Sequence, residues 1–163
     1  MIVITSDTHA SGILELPRAL IEAMNVADLI VHAGDFDRWS LYEDLTDFEL
    51  IAVAGNSDDD LIRSSLPEVA TFEWRGKRFA VKHEPIFFDC SDLVYKAKEL
   101  EAEVMIFGHT HRPLLGKVAG IWLLNPGSPT RPRAKHATFI EIEDEIILRG
   151  VNGEVIERAD FEW

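Results

Sequence analysis

The chain is expected to fold as an α/β protein built on two β-sheets with helices outside them. Two observations point there. Short apolar runs alternate with segments of helical periodicity over the first two thirds of the 163 residues, which is the pattern of parallel strands joined by crossover helices. From Thr71 the rhythm changes to hairpins and alternating strands, so antiparallel pairing joins the parallel core.

The first run, Ile2-Val3-Ile4-Thr5, ends abruptly at Asp7, Thr8 and His9. A buried strand of this kind delivers polar side chains to its carboxyl edge, where ligands of open α/β sheets bind. Leu16 to Met24 carries apolar residues at helical spacing, with Pro17 where a first turn tolerates it. The next run, Leu29-Ile30-Val31-His32-Ala33, ends at Gly34-Asp35, and the crossover rule makes it parallel to the first. Adjacent strands lie about 4.8 Å apart, so Asp7 and Asp35 would share one locality.

Arg38 to Leu45 reads as a short helix, and Leu50 to Ala54 as a third strand ending at Gly55-Asn56-Ser57-Asp58. Ser57 or Asp58 is placed to cap a helix carrying Leu61, Ile62 and Leu66. Phe72 to Trp74 and Phe79 to Val81 form a hairpin whose second strand runs into Lys82-His83-Glu84-Pro85. Ser91 and Asp92 are expected to cap a helix with Leu93, Ala97 and Leu100 facing the core. Val104 to Phe107 is a buried strand that ends at Gly108-His109-Thr110-His111.

Beyond it, Leu114 to Val118 and Ile121 to Leu124 flank a Gly120 turn, and Asn125-Pro126-Gly127-Ser128-Pro129 forms a rigid loop. Thr138 to Glu143 alternates, as does Ile146 to Val151, with Asn152-Gly153 turning into a last strand near Val155. No linker, repeat or low-complexity tract divides the sequence, and one domain over residues 1–163 is the economical expectation. With 47% hydrophobic residues it can bury roughly two thirds of its unfolded surface.

The single cysteine, Cys90, rules out an intrachain disulfide. No basic leader and no long apolar run precede the first strand, so neither a signal peptide nor a membrane span is expected, and a cytoplasmic protein is. Acidic residues outnumber basic ones by 29 to 16, giving a net charge of −13. Such a surface opposes stable binding to nucleic acid or anionic lipid. An anionic substrate then needs a local reversal of the field, which a pair of divalent metals would supply.

Four of the six histidines follow apolar runs, beside Asp7, Asp35 and Asn56. Each motif has a plain structural competitor, since Gly-Asp and Gly-Asn are common turns and Asp7 competes as a helix cap. Their order carries the weight: five polar strand ends occur once each and in succession. Imidazole and carboxylate sets without thiolate suit Mn²⁺, Fe²⁺, Co²⁺, Ni²⁺ or Zn²⁺.

The succession Asp7-x-His9, Gly34-Asp35, Gly55-Asn56, His83 and Gly108-His109-Thr110-His111 resembles the calcineurin-like metallophosphoesterase superfamily, and the small size its compact single-domain phosphodiesterase branch. The resemblance spans residues 1 to 133. It implies a four-layer αββα fold, a β-sandwich flanked by helices, with a dinuclear metal centre at the strand ends. One ion would be held by Asp7, His9, Asp35 and His111, the other by Asp35, Asn56, His83 and His109, with Asp35 bridging. Mn²⁺ or Ni²⁺ are the expected ions, with Fe, Co, Zn or Mg as other candidates. It further implies a metal-dependent phosphodiesterase acting through a metal-activated hydroxide on a small phosphodiester, with Asp35, Asn56, His83 and His109 catalytic. A phosphomonoesterase of the same mechanism, and a protein-binding scaffold like the retromer subunit of this fold, are the alternatives.

Asn56 can also hydrogen-bond a phosphate oxygen, and Arg38 is either a phosphate contact or a solvent-facing residue at a helix start. Two departures stand out. Many phosphatases of the superfamily have a histidine where Ser57 stands, so protonation of a leaving group needs another source. Compact members usually have glycine where Glu84 stands, which would narrow access or weaken phosphate binding. The loop from Asn125 to Ser128, with Arg131 and Arg133, resembles one that lines the site. His32 is expected to be a core or supporting histidine, and Phe161 and Trp163 to pack on the domain or on a second subunit of a homodimer.

Overall fold

A computed structural model describes residues 1–163 as two stacked sheets with helices on both outer faces. The first sheet has the order β11-β10-β9-β1-β2-β3. Its parallel centre is β1 (Ile2–Thr5), β2 (Leu29–His32) and β3 (Leu50–Ala52), paired in register from Ile2 with Leu29 and from Ile30 with Leu50. The antiparallel strands β9 (Thr138–Ile142), β10 (Glu145–Gly150) and β11 (Val155–Asp160) extend it beyond β1. The second sheet has the order β4-β5-β6-β8-β7, from β4 (Val69–Trp74), β5 (Lys77–Lys82), β6 (Val104–Ile106), β7 (Pro113–Val118) and β8 (Ile121–Pro126). No helix is long and apolar enough to cross a membrane.

Period-two alternation assigns each strand's side chains to a layer. Ile2 and Ile4 of β1 enter the core between the sheets, with Val31, Phe79, Val81, Ile106 and Ile140. Val3 and Ile30 point the other way and are covered by α1 (Arg18–Val26), α2 (Trp39–Leu45) and α3 (Asp60–Ser65) through Leu20, Met24, Leu41, Leu45 and Ile62. On the far side, α4 (Ser91–Glu99) lays Leu93 and Ala97 over Ala80, Met105 and Leu123. These three apolar clusters separate four layers, helix on sheet on sheet on helix. Phe161 closes the inter-sheet core, packed edge-on against Trp163, so the carboxyl terminus packs on its own fold.

Two helix starts differ from expectation. The cap of α3 is Asp59, whose Oδ1 accepts the Ile62 amide at 3.0 Å. Ser57 and Asp58 are held instead by the loop after β2, as described below. At α4 the N-cap is Cys90 in a left-handed conformation, φ 58°, and no side chain caps the helix. Asp92 turns back to accept the amides of Ile86 and Phe87 at 2.9 and 3.1 Å, fastening the preceding loop. Two of the hairpin turns, Arg75-Gly76 and Ala119-Gly120, have positive φ at both residues, the twist that tight two-residue hairpins favour.

Candidate metal centre

Parallel strands β1, β2, β5 and β6 all point their carboxyl ends to one edge of the molecule, and the polar residues that follow them meet there. The chain leaves β1 alongside the loop after β2, with the Asp7 amide bonded to the Gly34 carbonyl at 2.9 Å and the His9 amide to the Asp35 carbonyl at 3.1 Å. Asp7, His9, Asp35, His109 and His111 all adopt positive φ, between 41° and 68°. Left-handed backbone costs non-glycine residues about 1 kcal/mol or more each, and clusters of it mark functional sites. Two glycines permit the close approach. A Cβ on Gly55 would lie 2.1 Å from Asp35 Oδ1, and one on Gly108 would lie 1.9 Å from Ser6 Oγ.

Asp7, His9, Asp35 and His111 offer ligand atoms that all lie within 4.8 Å of one another. His9 Nε2 is 3.2 Å from His111 Nε2, and His111 Nε2 is 3.3 Å from Asp7 Oδ1. Asp35 faces two ways: Oδ2 is 3.7 Å from His9 Nε2, and Oδ1 is 3.4 Å from His83 Nε2. Beyond Oδ1 a second group gathers, because Asn56 Oδ1 is 3.0 Å from both His83 Nε2 and His109 Nδ1. The seven side chains expected from the sequence therefore stand in two adjoining groups that share Asp35.

The residues fit divalent cations. The outward nitrogens of three imidazoles are occupied: His9 Nδ1 donates to Asp37 Oδ1 at 2.6 Å, His83 Nδ1 to the Ala33 carbonyl at 2.7 Å, and His111 Nδ1 to the Arg131 carbonyl at 2.6 Å. Each is left with a lone pair on Nε2 directed at the carboxylates, the tautomer a metal ligand needs. The Asp35 carboxylate is ionised. Burial works against the Asp35 carboxylate, but His83, the Ser57 amide and His9 outweigh it and hold its pKa down at about 2. Burial also depresses His83, while Asp35 and Asp7 raise it further, and its net shift is upward; Asp7 raises His111.

His32 is fully buried, and burial lowers its pKa well below the ordinary value. The Gly34 amide donates to its Nδ1 at 3.1 Å, so Nε2 carries the proton and donates to Thr8 Oγ1 at 2.9 Å. It supports the loop and does not face the donors. The 125–131 loop clamps the same segment: Ser128 Oγ donates to the Asp7 carbonyl and Thr130 Oγ1 to the Thr8 carbonyl, both at 2.7 Å.

Two carboxylates were missed by motif. Asp58, 2% exposed, accepts the amides of Gly55, Asp37 and Asp35 at 2.7, 2.9 and 3.2 Å and so ties the loop of Asn56 to the loop of Asp35. Burial raises its pKa despite those bonds. Asp37, behind His9, stands two residues after Asp35 as His9 does after Asp7, a spacing that could have revealed it. The donors floor a depression of about 430 Å³ flanked by Ser57, Arg131 and Arg133. Arg38 borders an adjoining one of about 340 Å³ with His9, Asp37 and Ser57. Another depression, near Lys77 and Trp122, lies at the opposite strand ends and has no convergent donor set.

A family model for the calcineurin-like phosphoesterase superfamily domain matches residues 1–145. The chain belongs to that superfamily. Among calcineurin-like relatives, a probable metallophosphoesterase of Methanocaldococcus jannaschii is 34% identical over 90% of this chain and 78% of its own. Vps29 of Entamoeba histolytica, solved in complex with Zn²⁺, shares 22% identity over 99% of both chains with a TM-score of 0.76. An archaeal phosphodiesterase shares 23% identity over 98% of this chain and 99% of its own, with a TM-score of 0.70. At such identities these two structures establish the calcineurin-like fold alone.

Proposed function

We propose that the chain is a phosphodiesterase that hydrolyses small phosphodiesters with two divalent ions, Mn²⁺ or Ni²⁺ foremost, held by Asp7, His9, Asp35 and His111 and by Asp35, Asn56, His83 and His109. The observation that carries this is the division of Asp35: its two oxygens face different donor groups, so that one carboxylate would serve both. When bound, such ions acidify a water and neutralise phosphoryl oxygens.

The chain's own groups do the rest. The Ser57 amide, donating to Asp35 Oδ1 at 2.8 Å, fixes the carboxylate between the two sets. Asn56 turns its Oδ1 into the second donor group, 3.0 Å from His83 Nε2 and His109 Nδ1, which leaves its amide hydrogens for a phosphate oxygen. Arg131 and Arg133 border the depression and Arg38 its neighbour, which supports reading them as cations that would attract a diester anion to a chain of net charge −13. Ser57 offers a leaving group no proton near neutral pH, which favours esters of acidic alcohols. A net-negative surface also disfavours polyanions, so the expected substrate is a small diester and not nucleic acid.

The complete donor set favours a hydrolase over a binding scaffold, which has no need of it. The test is to strip the protein of metal, restore Mn²⁺, Ni²⁺ or Mg²⁺, and assay artificial diesters and monoesters. Mn²⁺ or Ni²⁺ should restore diester cleavage above monoester cleavage. Undiminished activity in chelator would refute the proposal, and a monoester preference would reassign the substrate.

A further inference from the structure

We infer that Glu84 is a positioning residue for His109, holding this ring so that Nδ1 is turned into the second donor group. The inference rests on the two-ion proposal above. His9, His83 and His111 present Nε2 inward and are locked from behind through Nδ1. His109 is reversed: its Nδ1 lies 3.0 Å from Asn56 Oδ1, and its Nε2 lies 3.3 Å from Glu84 Oε1.

A neutral imidazole carries one proton, so a ring that gives its Nδ1 lone pair to a cation keeps its proton on Nε2. Glu84 stands there to accept it. His109 needs this more than the other three, because its side chain is 37% exposed where those of His9, His83 and His111 are 10% or less. Ring-backing partners of this kind typically contribute 10- to 100-fold in metal affinity.

Glu84 is itself delivered by a pinned stretch of chain. Its carbonyl accepts Lys82 Nζ at 2.8 Å, Pro85 confines it to extended backbone, and Asp92 fastens the next two amides. On the other side, the His83 carbonyl accepts the Gly108 amide at 2.9 Å, joining Glu84's segment to that of His109. The backbone of Glu84 is thus fixed beside His109, and its carboxylate lies 3.3 Å from the ring's Nε2.

The test is calorimetric titration of metal-free wild type, Glu84→Ala and Glu84→Gln with Mn²⁺, alongside thermal unfolding of each metal-free protein. Wild type should bind two ions. Glu84→Ala should lose tenfold or more in one binding event while the other stays within twofold and the melting temperature is unchanged. Glu84→Gln, which keeps an acceptor oxygen without the charge, should recover most of the loss. Equal affinities in wild type and Glu84→Ala would overturn the inference, as would equal weakening of both events. A Glu84→Gln protein as weak as Glu84→Ala would overturn it too, by showing that charge attraction suffices. Failure of wild type to bind two ions would instead overturn the proposed function.

Discussion

The Asp35 carboxyl is shifted down and the imidazoles of His83 and His111 are shifted up, and that fixes how metal binding responds to acid. With its pKa near 2, Asp35 stays ionised throughout the neutral range. His83 and His111, with raised pKa values, take up protons that a metal must displace. Mn²⁺ affinity should therefore be at least tenfold weaker at pH 6 than at pH 8, with proton release visible as a dependence of the binding enthalpy on buffer; affinity independent of pH would contradict this. For stability the signs separate. A raised histidine pKa contributes stability that is full below the unfolded value near 6.5 and is lost as pH rises through the folded value. His32, with its pKa lowered by burial, works the other way: the unfolded chain takes up its proton first, so stability falls as pH drops through about 6.5. Urea unfolding of metal-free protein should accordingly show greatest stability near neutrality, declining on both sides. At Gly108 the constraint is steric, since a Cβ would fall 1.9 Å from Ser6 Oγ and 2.7 Å from Asp7 Oδ2. Gly108→Ala should cost about 3 kcal/mol in urea unfolding; a change below about 0.5 kcal/mol would show that the strand ends have room to spare.

The elements divide cleanly into those that build the frame and those that aim the donors. Asp59 caps α3, so Asp59→Ala should cost about 1 kcal/mol of stability and leave metal affinity unchanged. Its neighbour Asp58 serves the loops, and Asp58→Ala should weaken Mn²⁺ binding tenfold or more by freeing the loops of Asp35 and Asn56 from each other. Titrating the two variants side by side checks the division, which fails if Asp59→Ala weakens binding as much. The same division explains what could be read from sequence. Strands were legible because apolar runs and alternation report burial directly, and the donors because each closes such a run. Asp58 and the clamps Ser128 and Thr130 were not, because their partners are backbone amides and carbonyls remote along the chain. The α3 cap is ambiguous in sequence for a related reason: Asp58, Asp59 and Asp60 are equal as cap formers, and only tertiary bonds decide which one is free to cap. Glu84 was legible as a residue but not in its role, which depends on the ring orientation of His109.

At the scale of the whole molecule, the donor loops sit at one edge of a frame whose cores contain none of the donors. Removing metal should therefore leave the protein folded, unlike small metal-nucleated domains. Saturation should still raise the melting temperature, because ions bound only by the folded state add about 2.7 kcal/mol per site at a hundredfold excess over Kd. It should also offset part of the net charge of −13. The most direct test of two donor groups joined through Asp35 is a count of ions: equilibrium dialysis of metal-free protein against Mn²⁺, followed by metal analysis, for wild type and Asp35→Ala. Two ions per wild-type chain and at most one per Asp35→Ala chain is the expected result. One ion or none in wild type, or two in Asp35→Ala, would contradict it.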